Sequence, residues 1–234
     1  MLSLAENLFP PVGLEEIRQT IGKYRDGDSF LRLMSGHYGH SSTEFFLIKK
    51  AHTLVTKDFA DKRRHSGEEY AEHLRAVAII AFLYRGDKSH TTVIERLLHD
   101  WLEDIPESLH WTLYQMFGAV ITHTVNGVTK PQFPPQPESM TDDEYELLKQ
   151  KLTFTKVLLF GKRSRILKCD DRLHNMLTLW GDPESKKRKI VETIDFVLPI
   201  SMITNGTLYL ELTSATSEQL RRLHINDWDS HVPK

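Results

Sequence analysis

Apolar residues recur three and four positions apart along almost the whole chain, and alternating β-branched runs bounded by turns are hard to find. A helix repeats about every 3.6 residues and a strand every two, so this pattern admits helices and disfavours sheets. The spacing predicts helices over 14–24, 42–60, 68–85, 89–104, 107–128, 142–159, 163–181, 185–204 and 215–223, an all-α fold with no visible internal repeat. PQFPPQPESMT, residues 131–141, holds four of the ten prolines and must be a loop, because each proline removes a backbone donor and restrains its predecessor. The next helix starts near Thr141, where a hydroxyl residue is followed by acids in the first turn.

A chain of 234 residues suits one core with extensions. The expected division is an N-terminal extension with one helix over 1–40, a main helical domain over 41–212, and a C-terminal helix and polar tail over 213–234. Thirty Lys and Arg against 32 Asp and Glu give a formal charge of -2, which leaves no overall electrostatic footprint for long nucleic acid. Cys169 is the sole cysteine, so nothing points to an oxidising compartment. MLSLAENLFPPVG lacks the basic start and long apolar run of a secretory signal, and no apolar run approaches the roughly 20 residues of a membrane span. The expected compartment is the cytoplasm.

In HTTVIERLLHDWLEDIP, Val93, Ile94, Leu97, Leu98, Trp101 and Leu102 form a broad apolar stripe, and Pro106 ends the helix. At about 100° per residue, His99, Asp100, Glu103 and Asp104 fall within roughly 140° on the other side and can approach one point. A solvated polar face is the ordinary reading of such a cluster. Against it, Asp100 and Asp104 are like charges at i, i+4 near a helix C-terminus, where neighbour repulsion and the helix dipole both disfavour anions. A bound cation removes both penalties, and His99 and Asp100 are suitable ligands for a divalent metal.

RILKCDDRLHNMLTLW places Ile166, Leu173, Met176, Leu177 and Trp180 on one face. Lys168, Asp171, Asn175 and Thr178 share another stripe. Such a set suits a metal ligand beside donors for phosphate and sugar oxygens; a coincidental polar face and a Lys168–Asp171 i, i+3 ion pair fit it as well. Upstream, DKRRHSGEEYAEHLRAVAIIAFL joins a basic, glycine-containing turn to an amphipathic helix that carries His73. A lone histidine is more often packed than ligating, so His73 draws its weight from the company it keeps. Lys62, Arg63, Arg64 and His65 read either as a solvated charge run or as an anion-binding turn at a helix start.

Five blocks in order, RRHSGEEYAEHLRAVA, LLHDWLED, FGAVITHTVNGVTK, ILKCDDRLHNMLTL and KRKIVETIDFVLPI, resemble the hydrolase domain of RelA/SpoT-type enzymes and the single-domain small alarmone hydrolases of the HD superfamily. The resemblance spans roughly residues 45–205 and implies an HD-domain helical bundle. It implies His73, His99, Asp100 and Asp171 as metal ligands, Glu103 and Asp104 as the catalytic pair, and substrate contacts from Arg64, His65, Ser66, Lys168, Asn175 and Thr178, with Arg64 stacking on the base. It further implies one Mn²⁺ per chain, a small nucleotide such as ppGpp, pppGpp or ppApp as substrate, and hydrolysis of the 3′-pyrophosphate with release of pyrophosphate. A donor set of imidazoles and carboxylates suits a mid-series divalent ion.

Several positions depart from the pattern. Glu69 and Leu74 stand at usual prolines, Trp101 enlarges the position after the His-Asp doublet, His65 stands where many long members have another residue, and Asp170 adds an acid at a usually small position. The alternative is another HD nucleotide phosphohydrolase, such as an NADPH 2′-phosphatase or a nucleotidase; a third class is a non-catalytic nucleotide-binding module. With little chain after residue 205 for further domains, the expectation is hydrolysis alone. Two settings fit such an enzyme: housekeeping removal of alarmones in the stringent response, and neutralisation of a toxic synthetase as an antitoxin.

Overall fold

The structure, a computed structural model, describes residues 13–64, 66–105 and 109–223. Among these residues the regular secondary structure is helical, without strands, as the periodicity predicts. In chain order the helices are α1 (Leu14–Lys23), α2 (Gly27–Tyr38), α3 (Thr43–Asp58), α4 (Tyr70–Ile79), α5 (His90–Leu98), α6 (Trp101–Asp104), α7 (His110–Val128), α8 (Asp142–Leu159), α9 (Lys162–Leu177), α10 (Pro183–Glu192), α11 (Leu198–Thr204) and α12 (Gly206–Arg222). No helix among the described residues is long and apolar enough to cross a membrane.

Four local expectations are corrected. A second helix, α2, stands within the segment expected to hold one; Asp26 caps it by accepting from Ser29 N at 2.9 Å, and Phe30 and Met34 bury its inner face. The helix expected over 89–104 is broken between His99 and Asp100 into α5 and α6. The segment 185–204 holds a π-helical turn, Thr193–Val197, just ahead of Pro199, which has no N–H for the regular ladder. The last helix begins at Gly206, capped by Asn205, ahead of the expected 215. The proline-rich segment is irregular, and Thr141 and Glu144 form a reciprocal capping box at the start of α8. The tail at 224–234 lies outside the described residues.

Two apolar clusters organise the molecule. One gathers Phe30, Ile48, Val55, Leu74, Val93, Leu97 and Leu113 from α2, α3, α4, α5 and α7. The other gathers Leu14, Ile17, Phe154, Leu173, Met176, Ile200 and Leu212 from α1, α8, α9, α11 and α12. Val77, Val128 and Leu167 join α4, α7 and α9 across the seam. Gly127 allows the close approach of α7 to the α8–α9 corner: a Cβ there would stand 2.3 Å from Ser164 Oγ and 2.6 Å from Phe160 Cβ.

Behind the seam lies a buried charge network centred on Asp170, which is wholly buried. Arg96 Nη2 donates to Asp170 Oδ2 at 3.0 Å and Arg85 Nε to Oδ1 at 2.5 Å. Glu95 binds Arg96 at 3.1 Å and Arg163 at 2.7 Å. Arg85 Nη2 also lies 2.7 Å from Glu211, yet without hydrogen-bond alignment. The acid that departs from the family pattern is thus a counter-ion between α9, α5 and the end of the π-turn Ile80–Tyr84.

Candidate metal centre and cleft

His73 projects from α4, Asp171 from α9, and His99 and Asp100 from the break between α5 and α6. In an unbroken helix neighbouring side chains diverge by about 100°. The helix is interrupted at His99 and Asp100, both still with helical torsions (Asp100 at φ -96, ψ -4), and Asp100 Oδ2 comes to 3.1 Å from His99 Nε2. His73 Nε2 lies 3.2 Å from His99 Nε2 and 3.7 Å from Asp100 Oδ2. Asp171 Oδ1 lies 3.3 Å from His73 Nε2 and 3.6 Å from His99 Nε2. Donors held about 2.1 Å from one first-row ion stand about 3.0–3.5 Å apart, so these separations are those of a coordination sphere. The cluster of His73, His99 and Asp171 is buried and has its ligand atoms within 4.8 Å of one another.

The outer hydrogen bonds assign the tautomers. His99 Nδ1 lies 2.7 Å from the Arg96 carbonyl oxygen, which can only accept, so Nδ1 carries a proton and Nε2 is the atom left for a cation or, without one, a second proton; in the neutral imidazole Nε2 is bare. His73 Nδ1 lies 2.8 Å from His174 Nδ1, and Arg64 Nη1, which can only donate, lies 3.4 Å from the same atom. His174 Nδ1 is therefore the acceptor, His73 Nδ1 the donor, and His73 Nε2 also bare. Two bare nitrogens thus face each other between two carboxylates, an arrangement that only a cation or a proton stabilises. The donor set fits a divalent metal, each imidazole being oriented by a partner on its other nitrogen.

Without a cation the proton takes that place. Burial lowers the basicity of His99, but the Asp100 and Asp171 carboxylates outweigh it and push its pKa up to about 10. Burial pulls His73 down, against the hydrogen bond that a protonated His73 donates to Asp171. Burial would raise Asp171, yet Lys168 and the two histidines hold it well below the usual carboxylate range; Lys168 Nζ stands 3.1 Å from Asp171 Oδ2.

Glu103 and Asp104 stand beside this cluster in different company. Glu103 Oε2 accepts from Lys130 N at 3.1 Å, and Oε1 pairs with Lys130 Nζ at 2.5 Å, which ties the carboxylate to the root of the proline-rich segment. Asp104 Oδ2 lies 2.7 Å from the Tyr70 hydroxyl, which is also 2.8 Å from Asp100 Oδ2. One hydroxyl proton cannot serve both carboxylates at once. Burial, with the charges of Asp100 and Glu103, raises Asp104 against the opposing Tyr70 bond, so Asp104 holds a proton more readily than an ordinary aspartate.

A cleft of about 830 Å³ opens over these groups. Of the substrate contacts implied by the sequence, Arg64, Ser66, Lys168, Asn175 and Thr178 line it, whereas His65 lies outside the described residues. Their bonds are partly committed. Arg64 Nη2 donates to Asn175 Oδ1 at 2.5 Å, Asn175 Nδ2 to Asp171 Oδ1 at 2.7 Å, Ser66 Oγ to Glu68 at 2.8 Å and Thr178 Oγ1 to the His174 carbonyl at 2.9 Å. At the basic side, Arg172 donates to Thr193 Oγ1 at 3.0 Å and pairs with Glu192. Burial would raise Glu192, but Arg172 and Lys189 bring it down to about 2. Phe133, from the proline-rich loop, also lines the cleft, so that loop forms part of its wall.

Sequence reasoning missed Tyr70, His174 and Lys130 as parts of the site. Tyr70 is three residues ahead of His73 and His174 three beyond Asp171, spacings that put each pair on one helix face. Nothing local marked Lys130; its partner Glu103 is distant in sequence.

A family model of the HD domain matches residues 51–197. A GTP pyrophosphokinase of Myxococcus xanthus is 32% identical over 166 residues, covering 69% of this chain and 21% of the relative. A guanosine-3′,5′-bis(diphosphate) 3′-pyrophosphohydrolase of Aquifex aeolicus is 29% identical over 172 residues, covering 73% of this chain and 23% of the relative. The chain thus spans about a fifth of the length of these curated relatives. Among solved structures, a metazoan ortholog of SpoT that hydrolyzes ppGpp superposes with a TM-score of 0.60 at 20% identity, covering 78% of this chain and 97% of that one, a likeness of fold.

Proposed function

The chain belongs to the HD-domain family, its domain being of the RelA/SpoT type, and from that premise we propose that it hydrolyses the 3′-pyrophosphate of a (p)ppGpp-type alarmone, releasing pyrophosphate. The observation that carries the reading is the convergence of His73, His99, Asp100 and Asp171, with two bare imidazole nitrogens 3.2 Å apart, at the floor of a nucleotide-sized cleft. In this reading those residues hold one divalent ion, Mn²⁺, which the thiolate-free set of nitrogens and oxygens suits. Such an ion, when bound, supplies Lewis acidity toward a phosphoryl oxygen and toward water.

The chain's own residues supply the rest. Glu103, paired with and oriented by Lys130, accepts the proton of the attacking water. Asp104, inclined to hold a proton and bonded to Tyr70, returns one to the leaving oxygen. Lys168 and Arg172 face the phosphates, and Arg64 is braced by His174 and Asn175 at the nucleoside side.

The test is ion chromatography of products from ppGpp, ppApp and NADPH, with Mn²⁺ and with EDTA. Pyrophosphate from an alarmone, lost with EDTA, is the expected result; orthophosphate from NADPH alone would replace this reading by the phosphatase one. Glu103→Gln is expected to lower kcat by about 10²–10³, as loss of a general base does, while metal content stays at the level of the unaltered protein. An unchanged kcat would remove Glu103 from the mechanism.

Metal affinity follows pH through His99. Its Nε2 is protonated in the metal-free site up to about pH 10, so binding a cation releases that proton. Between pH 7 and 9 calorimetric titration is expected to show affinity rising about tenfold per pH unit. The same raised pKa stabilises the metal-free fold below the unfolded value of about 6.5, and that stability is lost as pH rises toward 10. A pH-independent affinity would mean that His99 is not displaced from its proton.

A further inference from the structure

Trp180 belongs, by periodicity, to the apolar face of α9; the structure puts it elsewhere. The helix stops at Leu177 and Gly181, at φ 121, turns the chain, so the indole stands on a loop with 64% of its surface exposed. A single exposed hydrophobic residue needs no explanation on an open surface. Trp180, however, is in the wall of the cleft, next to Leu179, in a site whose floor is charged. It also lines a second hollow of about 620 Å³, which shares Arg63, Ser66, Thr178, Leu179 and Trp180 with the cleft. The indole is therefore part of the wall that the two hollows share. Lys186 Nζ, 5.9 Å from the ring centroid, restrains it within cation–π range.

Arg64, the residue to which the resemblance gives base stacking, has two of its five donors engaged by His174 and Asn175, which braces the plane of the guanidinium and keeps its face available. A planar ligand is held best between two faces, and the most exposed aromatic side chain lining the same cleft as Arg64 is Trp180. We infer that Trp180 is the stacking platform for the purine base of the nucleotide, a binding residue that meets the face of the base and not its edge. Guanine and adenine both present such a face, so the platform accepts either. The substrate class rests on the hydrolase reading above; the stacking contact is testable without turnover.

The experiment is isothermal titration of the Mn²⁺-loaded protein and of Trp180→Ala and Trp180→Tyr with GDP, ADP and inorganic pyrophosphate. Trp180→Ala is expected to weaken both nucleotides about tenfold, toward the low end of a base–aromatic stack, and to leave pyrophosphate binding unchanged. Trp180→Tyr should restore most of the loss. In steady-state hydrolysis, KM for the alarmone should rise by the same factor while kcat changes by less than about twofold. Equal nucleotide affinity in Trp180→Ala, equal loss of pyrophosphate, or no nucleotide binding by the unaltered chain would overturn the assignment. Trp180-dependent nucleotide binding without release of pyrophosphate from ppGpp would sink the hydrolase reading and keep the platform. Release of pyrophosphate with Trp180→Ala unaffected would do the reverse.

Discussion

Asp171→Ala is expected to leave a folded protein that holds no metal and releases pyrophosphate at less than about a thousandth of the normal rate, a loss of about 4 kcal/mol in transition-state stabilisation. Its Oδ1 faces both bare imidazole nitrogens, at 3.3 and 3.6 Å, and its Oδ2 neutralises Lys168 at 3.1 Å. Removing it takes away a ligand and also leaves the Lys168 ammonium uncompensated at the edge of the cation site. Asp171→Asn keeps the volume and an acceptor for Asn175 but not the charge, so it should fail for metal nearly as completely. Metal content by mass spectrometry after loading with Mn²⁺, read beside product release, checks both variants. Full stoichiometry in Asp171→Ala would remove this residue from the ligand set.

Asp170→Ala, one residue away, is expected to act on stability first. It would strip the shared carboxylate from Arg85 and Arg96, both with side chains 11% exposed or less. Breaking a buried pair by removing one partner costs about 3–5 kcal/mol, because the remaining charge stays desolvated. For a chain of this size that corresponds to a fall in Tm of about 6–20 °C. Thermal unfolding of Asp170→Ala beside Asp170→Asn, which keeps hydrogen-bond acceptance, measures it. A change below about 1 kcal/mol would show that the network's remaining acids, Glu95 and Glu211, suffice.

The all-α fold was legible because its helices are amphipathic, and His73, His99, Asp100 and Asp171 were legible because the order of the motifs named them together. What local patterns could not give were the effects of distant partners. The interruption at His99 and Asp100 between α5 and α6 falls where no residue type announces it. α2 escaped because its short apolar set, Phe30 and Met34, follows polar residues whose capping role at Asp26 outweighs their modest helix propensity. Trp180 fitted the period of α9 but lies beyond its end, where Gly181 takes a left-handed torsion. The hydrogen bond from Arg64 to Asn175 and the tie between Glu103 and Lys130 join residues far apart in sequence, and composition and spacing carry no record of such pairs.

The interruption at Asp100 has a meaning for anyone transplanting this centre into a designed helical scaffold. On an ideal helix consecutive side chains leave the axis about 100° apart, whereas here the interruption at His99 and Asp100 accompanies a 3.1 Å approach of Asp100 Oδ2 to His99 Nε2. The portable unit is the kinked backbone from Arg96 to Asp104, complete with the carbonyl that sets the imidazole's tautomer. A template search for the same chemistry in other helical proteins should accordingly look for the kink and treat the dipeptide as secondary.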